Sequence, residues 1–219
     1  MRILISGTSK GIGKRCAEKF LENGFEVIGI DLLESTIKHP KYAHFVGDIS
    51  KKSQLPNIDD IDYIFNNAGL QNSKDDINNN LVGTINLTEK YMNLPSLKAI
   101  LFNASASSIS GFEFSEYVAS KAGIVGYMKN VASRLADRGV LVNAISLGGV
   151  ISESNLPVMN DKESWEKIME VTPLKKWTTL DEVFDWVYFL LITNKSMTGQ
   201  NLLVDNGEFN CNSTFVWPK

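Results

Sequence analysis

Residues 3–13, Ile-Leu-Ile-Ser-Gly-Thr-Ser-Lys-Gly-Ile-Gly, constrain the fold more than any other stretch of the chain. A short apolar run is followed by Gly7, Gly11 and Gly13, and then by apolar residues at helical spacing. This order predicts a buried strand, a tight turn and a helix. Glycine lets a backbone approach a ligand closely, and the N-terminus of a helix attracts phosphate. The turn is therefore predicted to hold a pyrophosphate, although its Gly-x-x-x-Gly-x-Gly spacing also fits a turn without a ligand.

The rest of the chain alternates apolar runs with amphipathic segments. We predict strands at residues 2–6, 25–30, 43–46, 63–66, 99–103, 141–145 and 201–204. We predict helices at residues 12–23, 76–94, 115–137, 162–170 and 180–193. Apolar strands that alternate with helices indicate a parallel sheet covered on both faces. The expected fold is α/β, a Rossmann-like, doubly wound sheet of seven strands whose ligands bind beyond the carboxyl ends of the strands.

Composition and charge limit the class of protein. With 219 residues, 43% of them hydrophobic and 21% charged, the chain fits one globular domain over residues 1–219. Its net charge of −3, without a conspicuous basic cluster, argues against nucleic acid or a membrane surface as the main partner. Cys16 and Cys211 do not suggest a disulfide framework, so a reducing, cytoplasmic setting is expected. We expect no signal peptide, no membrane-spanning segment and no bound metal.

Asp31 follows the second predicted strand, where a carboxylate can accept hydrogen bonds from both hydroxyls of an adenosine ribose. A carboxylate there would repel a 2′-phosphate, which favours NAD over NADP. Lys10 favours the opposite choice, because a cation in the glycine-rich turn can pair with that phosphate. Asp48, after the third strand, is either an acceptor for an adenine amino group or a cap of its own loop.

Tyr117 and Lys121 stand four positions apart on one face of a predicted helix. A free tyrosine has a pKa near ~10 and is a poor proton donor or acceptor at neutral pH. A nearby ammonium and a cationic nicotinamide ring would favour the phenolate and lower that pKa, which would make Tyr117 a general acid/base for a hydroxyl–carbonyl pair. Taken alone, the pair also fits two half-exposed residues of an ordinary helix.

Polar residues follow two other predicted strands. Ser105, Ser107 and Ser108 come after the fifth strand, where a hydroxyl can stabilise a substrate oxygen beside Tyr117 or simply form a turn. Asn-Asn-Ala-Gly at residues 66–69 follows the fourth strand. Small residues and amides there let a backbone approach the adenosine side of a cofactor, although asparagine also stabilises turns without a ligand.

Together these residues resemble the motifs of the short-chain dehydrogenase/reductase family, in order and nearly from end to end. The matching stretches are residues 6–13, 66–69, Asn-Leu-Val-Gly at 80–83, Tyr117 with Lys121, Asn-Ala-Ile-Ser-Leu-Gly at 143–148 and Thr-Gly-Gln-Asn-Leu-Leu-Val-Asp at 198–205. The resemblance implies a catalytic tetrad of Asn80, Ser105, Tyr117 and Lys121. In it Tyr117 is the acid/base, Lys121 binds the nicotinamide ribose, Ser105 positions the carbonyl, and Asn80 holds a water that relays protons from Lys121.

The resemblance also implies a set of cofactor-binding residues and a lid. The cofactor-binding residues are Gly7, Ser9, Lys10, Gly11, Ile12, Gly13, Asp31, Asp48, Ile49, Asn67, Ala68, Gly69, Tyr117, Lys121, Val150 and Ser152. Residues 151–177 interrupt the alternation of strands and helices just after a strand end. They are expected to form a substrate lid, or else a surface loop with one helix.

Four features depart from the family pattern. Ser105 and Tyr117 are one position closer than usual, which leaves Ser107 and Ser108 as alternatives to Ser105. Leu147 replaces a proline, and Asp-Asn-Gly at 205–207 replaces Asp-Gly-Gly. Only eleven positions separate Gly69 from Asn80, about half the usual number, so a loop and the start of a helix are shortened.

These expectations lead to one main hypothesis and two alternatives. The main one is an NAD(H)-dependent oxidoreductase that interconverts a secondary alcohol and a carbonyl of a small-molecule substrate. The alternatives are an NADPH-dependent 3-oxoacyl-thioester reductase and a non-catalytic dinucleotide-binding regulatory protein. The resemblance implies a homotetramer or homodimer, with helices 76–94 and 115–137 in one interface and strand 201–204 in another. Phe215 and Trp217 in the tail, residues 209–219, are expected to pack on a neighbouring subunit.

Overall fold

The computed structural model of the protein describes residues 1–209 and residue 211. The expectation that Phe215 and Trp217 pack on a neighbouring subunit concerns residues outside this described part. None of the helices in the described part combines the length and the apolar character that a membrane crossing requires.

Residues 1–209 contribute seven strands to one sheet, in which every neighbouring pair is parallel. They are β1 (Arg2–Ser6), β2 (Glu26–Asp31), β3 (Tyr42–Val46), β4 (Tyr63–Asn66), β5 (Ala99–Asn103), β6 (Leu141–Leu147) and β7 (Asn201–Val204). Their order across the sheet is β3-β2-β1-β4-β5-β6-β7. The chain winds outward from β1 in both directions, so the carboxyl ends of β1 and β4 meet at the topological switch point. The predicted doubly wound parallel fold is confirmed.

Within the described residues, seven α-helices connect or flank these strands. They are α1 (Gly11–Glu22), α2 (Gly83–Tyr91), α3 (Ser107–Ser110), α4 (Ser115–Leu135), α5 (Leu156–Asn160), α6 (Lys162–Val171) and α7 (Leu180–Tyr188). Helices α1 and α7 pack on one face of the sheet, against Ile3 and Ile5 of β1. Helices α2 and α4 pack on the other face, against Leu4. The alternation of side chains along β1 thus divides the core into two layers.

The helices differ from the predicted ones mainly in their interiors. Predicted helix 76–94 is a π-helical segment, Ile77–Val82, followed by α2, and predicted helix 180–193 is α7 followed by a second π-helical segment, Phe189–Thr193. The short helices α3 and α5 were not predicted, because four or five residues give too little periodicity to detect. Strand β6 extends to Leu147, two residues beyond the prediction.

The half of the sheet that carries β3 has short connections. Residues 32–41 and 47–62, all within the described part of the chain, contain a single 3-10 turn, Lys52–Gln54, and no α-helix. Edge strand β3 is consequently poorly covered, with Phe45 39% and Val46 52% exposed. The buried apolar side chains are therefore concentrated around β1, β4, β5 and β6. These strands carry the candidate site at their carboxyl ends.

Candidate active site

The glycine-rich turn between β1 and α1 forms an open cradle. Gly7 and Gly11 have φ values of +78° and +57°, in the region that favours glycine. A Cβ atom at Gly13 would lie 2.0 Å from the carbonyl oxygen of Gly7, so the third residue of α1 has to be glycine. A Cβ atom at Gly11, in contrast, would meet no described atom within 4 Å.

The first turn of α1 faces this opening with its backbone N–H groups. Lys10, the N-cap residue, makes no side-chain bond to that turn within the described structure, and no acidic residue stands in the turn. Uncapped N–H groups at the positive end of a helix, beside an open glycine backbone, fit a phosphate group. The start of α1, Ile12 included, therefore fits the pyrophosphate of a dinucleotide, whereas the N–H and the hydroxyl of Ser9 are bonded to Asp31 and Leu33.

The segment after β4 forms the second wall of the cradle. The hydroxyl of Ser6 accepts hydrogen bonds from the backbone N–H groups of Asn67 and Ala68, both at 3.0 Å. The side-chain amide of Asn67 donates to the carbonyl oxygen of Ser6 at 3.0 Å. A Cβ atom at Gly7 would lie 2.9 Å from Cα of Ala68. Small residues at both positions are therefore required for the two segments to pack together.

Asp31 is the last residue of β2 and lies beside the cradle. Its carboxylate accepts hydrogen bonds from the backbone N–H groups of Ser9 at 2.9 Å and of Leu33 at 3.0 Å. The hydroxyl of Ser9 donates to the carbonyl oxygen of Leu33 at 2.9 Å. These bonds fix the carboxylate at the rim of the glycine-rich turn, whereas the side chain of Lys10 is exposed to solvent.

Asp48 and Ile49, after β3, are held by their own surroundings. The Asp48 carboxylate accepts from the backbone N–H and the hydroxyl of Ser50, at 2.9 and 2.7 Å. Asp48 thus caps its own loop, which is one of the two roles expected from the sequence. The other expected role is to accept a hydrogen bond from an adenine amino group. Ile49 is buried against Gly83 of α2, where a Cβ atom would lie 2.7 Å from its side chain.

Val150 and Ser152 begin the segment after β6 at the other end of the cradle. Val150 is buried and forms an isolated parallel bridge with Thr178. Ser152 is the N-cap residue of the 3-10 turn Glu153–Asn155. The indole of Trp177 occupies the space in which Gly149 would carry a Cβ atom. Both ends of residues 151–177 are thus tied to the strand end that faces the cradle.

Tyr117 and Lys121 lie on the inner face of α4. Lys121 is only 4% exposed, and its ammonium donates to the carbonyl oxygen of Asn103 at the end of β5 at 2.8 Å. Burial lowers the pKa of Lys121 to about 8, while the charges of Asp76 and Glu113 oppose that shift.

The pKa of the Tyr117 phenol in the protein alone is raised, whereas a lowered pKa is expected when a cationic nicotinamide lies beside it. In the protein alone, burial raises the pKa of Tyr117 to about 12, and a hydrogen bond from Ser105 only partly offsets the increase. The Lys121 ammonium lies 5.6 Å from the centroid of the Tyr117 ring, and not in direct contact with the hydroxyl. Desolvation of the phenol is the largest cause of the raised pKa, and the negative charges of Glu113 and Asp76 add to it.

The three serines after β5 have different neighbours. Ser105 is within hydrogen-bonding reach of Tyr117, and its hydroxyl also accepts from the backbone N–H of Ser107 at 3.2 Å. The hydroxyl of Ser108 donates to the carbonyl oxygen of Ser105 at 2.7 Å. The hydroxyl of Ser107 is buried without a hydrogen-bond partner among the described residues. Of the three, Ser105 is the one that the structure brings to Tyr117.

Asn80 is buried in the π-helical segment, and its side chain brackets Leu70. Its Oδ1 accepts from the backbone N–H of Leu70 at 2.7 Å, and its Nδ2 donates to the Leu70 carbonyl at 2.8 Å and to Ser120 at 3.1 Å. A Cβ atom at Gly69 would lie 3.2 Å from Asn80 Oδ1 and 3.4 Å from the Lys121 ammonium. Asn80, Gly69 and Lys121 therefore meet at one point.

Two carboxyl groups close to Lys121 were not among the predicted site residues. Asp76 is 1% exposed, and Glu113 precedes α4 and accepts from the side chain of Gln71 at 2.8 Å. Asp76 lies in a polar stretch that reads as a surface loop, so its burial left no signal in the sequence. Glu113 stands near Tyr117 in the chain, but sequence alone does not give the direction of its side chain.

Comparisons with known proteins agree with this geometry. A family model described as enoyl-(acyl carrier protein) reductase matches residues 7–208. The 3-oxoacyl-acyl-carrier-protein reductase FabG of Staphylococcus epidermidis is 27% identical, over 94% of this chain and 98% of that protein.

Two solved structures have the same fold. The complex of 4-hydroxyisoleucine dehydrogenase with NADH superimposes with a TM-score of 0.87 at 24% identity, over 95% of this chain and 98% of that one. A short chain dehydrogenase family protein from Francisella tularensis has a TM-score of 0.83 at 26% identity, over 94% and 98% of the two chains. The chain belongs to the short-chain dehydrogenase/reductase family and is an oxidoreductase of that family.

Proposed function

We propose that the protein is an NAD(H)-dependent oxidoreductase that interconverts a secondary alcohol and a carbonyl. One continuous set of hydrogen bonds supports this proposal. Lys121 donates to the carbonyl of Asn103, whose side chain donates to Oδ1 of Asn67 at 3.0 Å, and Asn67 donates to the carbonyl of Ser6 at the edge of the cradle. The Tyr117–Lys121 pair is thereby fixed relative to the cradle.

Each residue of the site has a role in this proposal. A bound nicotinamide supplies or accepts the hydride. Tyr117 donates the proton to the carbonyl oxygen during reduction and accepts it during alcohol oxidation. Ser105 positions the same oxygen beside Tyr117, and Lys121 binds the ribose and favours the phenolate by its charge. Asn80 fixes Leu70 and the backbone around Gly69 with its side chain, whose amide donates to Leu70 and Ser120. A water that it holds is therefore bound through an acceptor, either Oδ1 or the backbone carbonyl.

A substitution at Tyr117 separates catalysis from mere dinucleotide binding. Purified protein should bind NADH by fluorescence and reduce NAD⁺ with at least one compound of a panel of alcohols, polyols, steroids and hydroxyacyl thioesters. Tyr117→Phe should lower turnover at least about a hundredfold without weakening NADH binding. Tyr127→Phe is the matched control, because Tyr127 lies on the same helix and donates to Glu89 at 2.8 Å. Binding without turnover by any panel member, in wild type and variants alike, would favour a regulatory protein.

The preference for NAD(H) is proposed from the position of Asp31. Its carboxylate lies at the rim of the cradle and is fixed by two backbone N–H groups, so a 2′-phosphate there would be repelled. Affinities for NADH and NADPH, measured by fluorescence under one set of conditions, test this preference directly. Tighter binding of NADPH would contradict it.

An NADPH-dependent 3-oxoacyl-thioester reductase is the second candidate. It is favoured by the name of the Staphylococcus epidermidis relative and by the cation of Lys10 in the glycine-rich turn. Oxidation of NADPH by a short 3-oxoacyl thioester, faster than oxidation of NADH by the same compound, would establish this candidate over the first.

We also propose that residues 151–177 act as the substrate lid of a single domain over residues 1–219. None of the described residues of α5 or α6 is buried, which is the property expected of a segment that moves. Hydrogen exchange with and without NADH tests the proposal. Slower exchange in α5 and α6 on addition of NADH is expected, and unchanged exchange there would contradict a lid.

A further inference from the structure

The segment that joins Gly69 to Asn80 is closed by the carboxylate of Asp76. Asp76 accepts hydrogen bonds from the backbone N–H of Asn72 at 2.8 Å, and from the backbone N–H and the hydroxyl of Ser73 at 3.0 and 2.5 Å. At the other end of the segment, the side chain of Asn80 brackets the backbone of Leu70. The eleven positions thus form a compact turn whose centre is a carboxylate.

The burial of this carboxylate requires an electrostatic explanation. Asp76 is 1% exposed, and its three donors are all uncharged. A buried anion is costly unless a positive charge lies close by. Burial acts to raise the pKa of Asp76, but the bonds from Ser73 and Asn72 and the charge of Lys121 together bring it below the ordinary aspartate value.

Lys121 presents the complementary case. Lys121 is 4% exposed, and its ammonium donates a hydrogen bond to a neutral group, the backbone carbonyl of Asn103. A Cβ atom at Gly69 would lie 3.4 Å from this ammonium, and Asn80 donates to Ser120, the residue before Lys121, at 3.1 Å. Both ends of the segment that contains Asp76 therefore pack against α4 at Lys121. Asp76 and Lys121 are therefore both buried where this segment meets α4, and each favours the charged form of the other without a direct ion pair between them in the described structure.

Two other titratable groups face Lys121. Tyr117 lies one helical turn away and is protonated near neutral pH, since its pKa is about 12. Glu113 acts on Lys121 more weakly than Asp76 does, and as a residue it is exposed to solvent. Asp76 is therefore the main negative charge that counteracts the lowering of the Lys121 pKa by burial.

We propose that Asp76 is a positioning residue that acts through Lys121, keeping it in the ammonium form at neutral pH while holding the shortened turn against it. The role of that ammonium in turnover rests on the proposed function, whereas its charge state in the protein does not. The proposal extends the site to a carboxylate that touches neither the substrate nor the cofactor.

Nuclear magnetic resonance of lysine side chains labelled at Cε tests the proposal without any substrate. The Lys121 signal is assigned from its loss in Lys121→Met, and its titration is followed in full-length protein. Asp76→Asn should lower the proton affinity of Lys121 about tenfold, a shift of about one pH unit. Asp75→Asn is the matched control, because Asp75 is exposed and binds only its neighbour Asn78 through its carboxylate, at 3.1 Å. An unchanged titration of Lys121 in folded Asp76→Asn would overturn the proposal.

A reciprocal experiment covers the case in which Asp76→Asn does not fold. Coupling between two titrating groups acts equally in both directions. The pKa of Asp76, followed by its carboxyl carbon signal, should therefore rise by about one unit in Lys121→Met relative to wild type. No change in that pKa would equally overturn the proposal.

If a substrate is found, the pH profile provides an independent measurement. Loss of the Asp76 charge lowers the pKa of Lys121, so the ammonium is lost at lower pH. The alkaline limb of turnover should then move to lower pH in Asp76→Asn, and remain in place in Asp75→Asn and in Ser73→Ala, which retains the charge. A uniform loss of activity in Asp76→Asn without movement of the limb would indicate a structural role only.

Discussion

The ammonium of Lys121 lies 5.6 Å from the centroid of the Tyr117 ring and donates to the backbone carbonyl of Asn103. The two side chains therefore share one face of α4 without a direct bond between ammonium and hydroxyl. In this arrangement the protein alone holds the phenol protonated, because burial raises the pKa of Tyr117 to about 12. A further positive charge is required to bring the phenolate into the neutral range.

The first prediction concerns that additional charge. Binding of NAD⁺ should lower the pKa of Tyr117 by at least about two units, because a cationic ring stabilises the phenolate in a region of low dielectric. Ultraviolet difference titration of wild type, with Tyr117→Phe subtracted, measures the phenolate with and without NAD⁺. NADH, whose ring is neutral, serves as the control and should produce a much smaller shift. Equal shifts with both nucleotides would mean that desolvation, and not ring charge, controls the phenol.

The second prediction concerns the packing of the glycine-rich turn. Gly13→Ala should destabilise the protein by about 1–3 kcal/mol or more, because its Cβ atom would lie 2.0 Å from a backbone oxygen that cannot rotate away. Gly126→Ala on α4 is the matched control, since a Cβ atom there would meet no described atom within 4 Å. Alanine should stabilise that helix by roughly 0.5–1 kcal/mol. Denaturant unfolding measures the change in the free energy of unfolding for each variant. Similar changes in Gly13→Ala and Gly126→Ala would contradict the close contact of Gly13 with Gly7.

Much of this architecture could be predicted from the sequence, because local pattern determines it. The apolar runs predict the bounds of the seven strands to within two residues. The i, i+4 spacing predicts that Tyr117 and Lys121 share one face of a helix. The buried state of Asp76 could not be predicted, since it depends on a turn that closes through three hydrogen bonds over the five residues from Asn72 to Asp76. The choice of Ser105 over Ser107 likewise depends on the path of the chain after β5 and not on its composition.

The third prediction tests the role of Asp31 in cofactor choice. Asp31→Asn should weaken NADH binding about tenfold, because a neutral amide replaces a charged acceptor of two hydrogen bonds. The same change should weaken NADPH binding less or strengthen it, since the repulsion of a 2′-phosphate is removed. Glu34→Gln removes a nearby exposed acid and should leave the ratio of the two affinities unchanged. An unaltered ratio in Asp31→Asn would assign cofactor choice to other residues, with Lys10 the first to test.

The fourth prediction follows from the pKa of Lys121, which is about 8 in the folded protein and near ~10.4 in an unfolded chain. Between these values the unfolded state binds more protons, so the contribution of Lys121 to the free energy of unfolding becomes more favourable as pH rises. Wild type should gain up to roughly 3 kcal/mol relative to Lys121→Met between pH ~7 and ~10. Denaturant unfolding of both proteins across that range gives the difference between their free energies of unfolding. The contributions of the other titrating groups, which the two proteins share, cancel in this difference. A difference independent of pH would mean that Lys121 titrates at its ordinary value.

The fifth prediction concerns assembly at the β7 edge of the sheet. Trp186 and Phe189 are each 41% exposed, and their rings pack edge to face at 6.3 Å. Exposed aromatic pairs of this kind are typical of surfaces that another chain covers, and β7 is an edge strand of the sheet. We expect a homodimer or homotetramer at micromolar concentration, measured by light scattering after size-exclusion chromatography.

Substitution at this surface should reduce the assembly. Trp186→Glu places a charge in the expected interface and should lower the measured mass to a smaller species, since burial of an unpaired charge is costly. Val46→Glu is the matched control, because Val46 is 52% exposed on β3, at the opposite edge of the sheet from β7. A monomeric wild type at micromolar concentration would contradict the assembly altogether. A Trp186→Glu variant of unchanged mass would place the contact elsewhere, with the face of α2 and α4 as the next surface to test.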